Sequence, residues 1–195
     1  MSVSKTRLKL VEVARELFAR KGMEATTMND IATASGRGRR TLYTYFRNKE
    51  ELYYAVIEGE LDRLSELLDD VASASIAPEN KLFMLAYTHL NAIKETVARN
   101  GSLRAEFFRN IWTVEKVRRT FDREERSILK RVLQEGVDKG TFHIESVALM
   151  ADIFLYALRG LEVPYIYNRL GVGVTEEEAK PFVKTLIERA MGMHD

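Results

Sequence analysis

Between Thr26 and Lys49 the chain reads TTMNDIATASGRGRRTLYTYFRNK, and the second half of this segment gathers side chains suited to nucleic-acid chemistry. Arg39, Arg40, Thr41, Tyr43, Thr44 and Tyr45 share one short stretch rich in hydrogen-bond donors. An arginine fork matches the two acceptors of a guanine edge, a threonine methyl packs on a thymine methyl, and tyrosine hydroxyls reach phosphate oxygens. Taken alone, such a stretch is equally an ordinary solvated surface. Its neighbours weigh against that: Ala32 lets two helices cross closely, Gly36 permits a sharp turn, and Ile31, Leu42 and Phe46 supply a shared apolar core. The segment therefore predicts a helix, a tight turn and a second helix that presents its polar face to a major groove.

Charge supports the same end of the molecule. The net charge of +1 over 195 residues hides a split. Residues 1–50 carry eleven Lys and Arg against five Asp and Glu, a net +6, and the remainder carries nineteen against twenty-four, a net −5. A basic head on an acidic body docks a polyanion by one end only.

The elements that must position this segment read as helices almost throughout, so the fold class expected is all-α. Apolar residues recur at helical spacing, and no alternating β-branched run competes. A first helix is expected over Lys5 to Lys21, with Leu10, Val11, Ala14, Leu17 and Phe18 on one stripe and Gly22 as its stop. Thr27 can cap a second over Met28 to Ser35, and a third follows over Arg39 to Phe46. Asn48 can cap a long fourth over Lys49 to Ala72, with Leu52, Val56, Leu64, Leu67, Leu68 and Val71 inward. Further helices are expected over Glu79 to Asn100, Leu103 to Trp112, Val114 to Lys139, Glu145 to Asn168 and Glu176 to Met191. These give a DNA-binding domain over 1–48 and a larger helical domain over 49–195, with the fourth helix as connector.

The blocks LFARKGMEATTMNDIATASG, TLYTYF and NKEELYYAV, in that order, resemble the TetR-type (TetR/AcrR) transcriptional regulators. The resemblance implies an N-terminal helix-turn-helix domain, a C-terminal helical domain with a ligand pocket, and a dimer formed through the last two long helices. It places Thr27 and Met28 at the entry to the second helix, where backbone and base contacts occur, and Arg39 to Tyr45 on the recognition helix. Lys49 matches the family's phosphate-clamping lysine. The chain departs from the pattern at Arg37, where the family has an apolar residue, and at Arg40, where it has a small residue or proline. Arg37 is assigned an added phosphate contact, the other reading being a solvated side chain whose stem covers the core.

In the body, Ser146 to Leu161 is apolar on nearly all sides, with Asp152 and Arg159 its only charges, so a partner subunit is the natural cover. The last helix repeats the signal, and Thr175 with Glu178 forms a capping box for it. The seam is assigned to Ala151, Leu155, Leu158, Phe182, Val183, Leu186, Ile187 and Ala190. Pro181 lies inside that helix, where a kink or a late start is expected. Candidates to line an effector pocket are Phe83, Met84, Tyr87, Phe107 and Phe108. To these are added Trp112, Phe121, Met150, Phe154 and Tyr156, although aromatics at helical spacing are more often plain core.

With no cysteine there is neither a disulfide framework nor a thiolate metal site. His89, His143 and His194 lie far apart, and no phosphate-binding glycine loop or nucleophile elbow occurs. No metal, cofactor or enzymatic activity is expected. Neither a secretion signal nor a membrane span is seen, which suits the cytoplasm. The reading is a repressor that grips an operator in double-stranded DNA as a homodimer and leaves it when a small-molecule effector binds. Two alternatives stand beside it: a ligand-blind DNA-binding adaptor controlled by a protein partner, and, more remotely, a small-molecule-modifying enzyme on a helical scaffold.

Overall fold

Rows of apolar residues at i, i+3 and i+4, cut by capping residues and glycines, give eight helices and no strand among the described residues. They are α1 Lys5–Lys21, α2 Met28–Ser35, α3 Arg39–Tyr45, α4 Lys49–Ser73, α5 Pro78–Arg99, α6 Ile111–Asp138, α7 Val147–Ile166 and α8 Glu176–Ala190. This computed structural model describes residues 5–99 and 111–193, apart from the side chains of 111–117.

The helix ends follow from local chemistry. The Thr27 hydroxyl accepts from the Asp30 amide while the Asp30 carboxylate accepts from the Thr27 amide, so two otherwise orphaned donors are satisfied at the start of α2. Thr175 and Glu178 repeat the device on α8. Asn48 accepts from the Glu51 amide at 2.7 Å and opens α4, and Ser146 does the same for α7 through Leu149. Gly36 closes α2 at φ 65°, a left-handed conformation that a side chain disfavours.

The helices assemble into two compact units. One is formed by the described residues up to Asp62 with those of Glu95–Arg119, the other by Arg63–Lys94 with the described residues from Thr120 on. In the first, α1 packs on α2 and α2 on α3. Its core holds Leu10, Ala14, Leu17, Phe18, Ile31, Ala32, Leu42 and Phe46, joined by Leu52, Tyr53 and Val56 of α4. In the second, Leu82, Leu85, Leu90, Phe121, Leu129, Leu133, Leu155 and Leu158 are buried. Helices α4, α5 and α6 each contribute residues to both units.

Three expectations are corrected. No helix break falls near Thr113, because α6 runs unbroken from Ile111 with no glycine or proline before Gly136 to stop it. Leu67 is not inward but largely exposed, and Leu61 takes a place in the core of α4. The last helix does not start late, since its capping box secures the first turn ahead of Pro181. The part of the expected Leu103 to Trp112 helix before Ile111 lies outside the described residues.

Candidate nucleic-acid interface

The recognition segment is built on two anchors. Leu42 and Phe46 of the α3 region are buried, and their neighbours at helical spacing therefore point away from the core. Arg39, Arg40 and Thr44 are exposed, Tyr43 is 45% exposed, and Thr41 and Tyr45 are half-buried. Arg37 and Gly38, ahead of the helix, are also exposed, as is Thr27, and Met28 is half-buried. The sequence-predicted contact residues thus lie on α3, in the turn before it and at the entry to α2.

Two hydroxyls are partly committed. Thr44 Oγ1 donates to the Arg40 carbonyl at 3.0 Å, which leaves its methyl and acceptor lone pairs for an outside partner. Thr27 accepts from the Asp30 amide and its hydroxyl also bonds the Asp30 carboxylate, so an outside acceptor must compete with Asp30 for its proton. Lys49 has a structural task beyond the one assigned to it: its ammonium donates to the carbonyls of Met23 at 2.7 Å and Glu24 at 3.2 Å. With Thr26 Oγ1 on the Gly22 carbonyl at 2.7 Å, it satisfies the turn that sets α2 against α1. An ammonium has three protons, so one remains to reach outward.

Elsewhere in this unit the Arg7 guanidinium sits 5.2 Å from the Phe46 ring centroid, covering the end of α3. Glu60 of α4 pairs with Arg99 and lies 3.9 Å from Arg15 of α1, which is also held by Glu12. No local pattern marks this junction, because Arg99 and Arg15 stand 39 and 45 positions from Glu60.

In the second unit the pocket candidates separate. Phe121 is buried, Phe83 and Tyr87 are half-buried with ring centroids 4.9 Å apart, and Phe154 packs on Ala86, Leu90 and Leu158. Met150 is half-buried. Met84 and Tyr156 are corrections: both are exposed on helix surfaces and do not line an interior site of this chain. Phe107 and Phe108 lie outside the described residues, as does the Trp112 side chain. The seam needs a correction too. Ala151, Leu155, Leu158 and Ile187 are consumed by the chain's own core, where a partner cannot reach them. Of the remaining seam residues, Phe182 is 77% and Leu186 69% exposed, Val183 is half-buried and Ala190 is exposed. On α7 the exposed apolar stripe is Leu149, Ile153 and Tyr156, at i, i+4 and i+7.

Sequence reasoning missed the polar centre of this unit. His89 on α5 is fully buried between Glu125 of α6 and Glu162 of α7. Those carboxylates lie 36 and 73 positions away, so only the packing of three helices brings them together. Tyr165 is a second omission: its hydroxyl reaches Asn91 Oδ1 at 2.6 Å and Glu176 Oε2 at 2.8 Å. Burial and Glu176 hold that phenol well above the usual range. Among the described residues no group of three or more His, Asp and Glu could hold a metal ion, and no helix is long and apolar enough to cross a membrane.

Residues 10–56, which contain α2, α3 and the anchors just described, match the family model for bacterial regulatory proteins of the tetR family. The head of the chain is thus a tetR-family DNA-binding segment. Over 193 residues it is 28% identical to the HTH-type transcriptional regulator YfiR of Bacillus subtilis strain 168, covering 94% of this chain and 93% of that one. It is 30% identical over 138 residues to the HTH-type transcriptional repressor KstR2 of Mycolicibacterium smegmatis, covering 68% of this chain and 65% of the relative. A solved TetR/AcrR regulator from Thermobifida fusca YX-ER1 superposes with a TM-score of 0.68 at 25% identity, over 96% of this chain and 97% of its own. The chain is a DNA-binding transcriptional regulator with an N-terminal helix-turn-helix and a helical C-terminal domain. Regulators of the family bind DNA operators and commonly act as dimers with small-molecule effectors.

Proposed function

We propose that this regulator is a homodimeric repressor that reads its operator through α3 and the entry to α2, and that a small molecule bound among α5, α6 and α7 releases it. The observation that carries the reading is the division of labour on α3: Leu42 and Phe46 are buried while Arg39, Arg40, Tyr43 and Thr44 stand exposed. A helix held this way enters a major groove with its donors forward. Arg39 and Arg40 are assigned to base edges. Thr44, its hydroxyl tied back, is assigned to a thymine methyl. Thr27, Arg37 and the free proton of Lys49 are assigned to phosphates.

Dimerisation is supported by Leu149, Ile153 and Tyr156 on α7 and by Phe182 and Leu186 on α8. Their spacing, i, i+4 and i+7 on α7 and i, i+4 on α8, makes an exposed apolar stripe on each helix of the kind a partner subunit covers. Two heads on a symmetric dimer meet successive major grooves about 34–36 Å apart, so operators should be near-palindromic. Since α4, α5 and α6 contribute to both units, a ligand that favours one arrangement of the C-terminal helices changes the spacing of the heads. By linkage such a ligand binds the DNA-free form more tightly, and a roughly 100-fold difference corresponds to about 2.7 kcal/mol.

The test is selection of bound duplexes from a random pool, repeated in the presence of a metabolite extract. The expected result is enrichment of an inverted repeat with half-sites about one helical turn apart, lost when extract is added. Enrichment of no sequence, by a protein shown to be folded, would refute the repressor reading.

A further inference from the structure

At the heart of the C-terminal unit, three helices meet on one imidazole. Nδ1 of His89 lies 2.7 Å from Glu125 Oε1 and Nε2 lies 3.1 Å from Glu162 Oε1, with all three side chains buried. An ionised carboxylate can only accept, so both ring nitrogens donate and the ring is an imidazolium. The ring's own pKa agrees: burial works against the charged form, yet Glu125 and then Glu162 more than reverse it, and it is pushed up to about 9. The surroundings are apolar. The Phe121 ring centroid lies 6.4 Å from that of His89, and Ala86, Leu90 and Leu158 form the core cluster on the same helices.

Counting donors and acceptors shows what this cluster has left to give. Both imidazolium protons are used. Glu125 Oε2 is buried with no hydrogen-bond partner. A buried carboxylate oxygen left unpaired carries a desolvation cost that native structures commonly meet with a donor. The remaining capacity at Glu125 is therefore that of an acceptor, and an anionic group brought there meets only repulsion. Beside the Ala86, Leu90 and Leu158 cluster, Phe154 and Tyr165 are only partly buried and offer apolar surface for the rest of a molecule.

We propose that Glu125 Oε2 is the polar anchor of the effector site and takes the hydrogen-bond donor of a cationic amphiphile, an ammonium head on an apolar body, in preference to a carboxylate. This rests on the reading of the C-terminal helices as the effector-binding part. His89 is a positioning residue: its imidazolium fixes Oε1 of Glu125 and thereby aims Oε2.

Dodecylamine, dodecanol and dodecanoate share a chain length and differ only in the head, so they isolate this choice. Each is titrated into the full-length protein below its micelle concentration at about 0.15 M salt, where exposed charges are largely screened. Binding is read by calorimetry, and release is read on a duplex selected as above. The ammonium is expected to bind at least tenfold more tightly than the carboxylate, about 1.4 kcal/mol, with the alcohol between them. Glu125→Gln keeps an oxygen for His89 Nδ1–H and sets an NH2 where Oε2 stood, so it should abolish or reverse that order. A merely structural Glu125 would weaken all three ligands alike. If that variant does not fold, 15N spectra of the wild-type histidines decide: dodecylamine must shift the His89 ring signals and dodecanoate must not.

Equal or tighter binding of dodecanoate overturns the proposal, as does binding of none of the three, or dodecylamine binding that leaves His89 unmoved. The two readings fail separately. An anionic ligand that releases the duplex sinks the anchor and keeps the repressor. A Glu125-dependent amine preference in a protein that selects no duplex does the reverse.

Discussion

Raising the pH through the slightly alkaline range should unlock the helix junction at His89, and the size of the effect follows from its surroundings. A free histidine titrates near 6.5, whereas His89 between Glu125 and Glu162 is held at about 9. The folded protein therefore binds this proton more tightly than the unfolded chain. The resulting stabilisation is fully present below pH 6.5, declines across the interval and is gone above pH 9. A separation of that size corresponds to about 3 kcal/mol. For a chain of this length it should lower the melting temperature by roughly 6–12 °C. Thermal unfolding from pH 6 to 9.5 at constant ionic strength measures it, with His89→Gln as the reference because every other titrating group is retained. The reference should be less stable at pH 6.5, since two buried carboxylates lose their cation, and its profile should be flatter. If wild type and His89→Gln change by the same amount between pH 6.5 and 9, the imidazolium is not what holds these helices, and the argument fails.

At the DNA-binding end, Arg39→Ala should cost about 1–3 kcal/mol of operator affinity and relax base preference, whereas Tyr43→Ala, which loses a phosphate contact, should weaken binding without changing that preference, as read in binding titrations against sequence variants. Lys49→Ala should weaken all sequences alike and shallow the salt slope by about one unit. It should also lower the stability of the head by about 1–3 kcal/mol, because the carbonyls of Met23 and Glu24 lose a charged donor. Leu186→Asp should give folded monomers in sedimentation that bind operator far more weakly, whereas Leu155→Asp, at a fully buried site, should unfold the C-terminal unit. Two glycines should behave oppositely in thermal melts. A Cβ at Gly136 would lie 2.0 Å from the Phe142 ring, so Gly136→Ala should cost at least about 1–3 kcal/mol. Gly59→Ala on α4 meets nothing within 4 Å and should stabilise by roughly 0.5–1 kcal/mol.

The amino-acid sequence by itself determined everything that depends on near neighbours. The caps at Thr27, Asn48 and Thr175, the turn at Gly36 and the anchoring of α3 by Leu42 and Phe46 are all written within a few residues of where they act. The family was legible for the same reason, since residues 10–56 form one short, locally encoded motif. Tertiary structure decided which apolar row of a doubly apolar helix faces inward. On α7 the periodicity alone could not tell Ala151, Leu155 and Leu158, which fill the chain's own core, from Leu149, Ile153 and Tyr156, which stand exposed. It also decided the polar groups that meet across helices: Lys49 with the Met23 and Glu24 carbonyls, Glu60 with Arg15 and Arg99, and His89 with Glu125 and Glu162. A histidine in a sequence carries no mark of a carboxylate 73 positions away, because that pairing exists only once the packing of three helices has excluded water and left the two groups each other as partners.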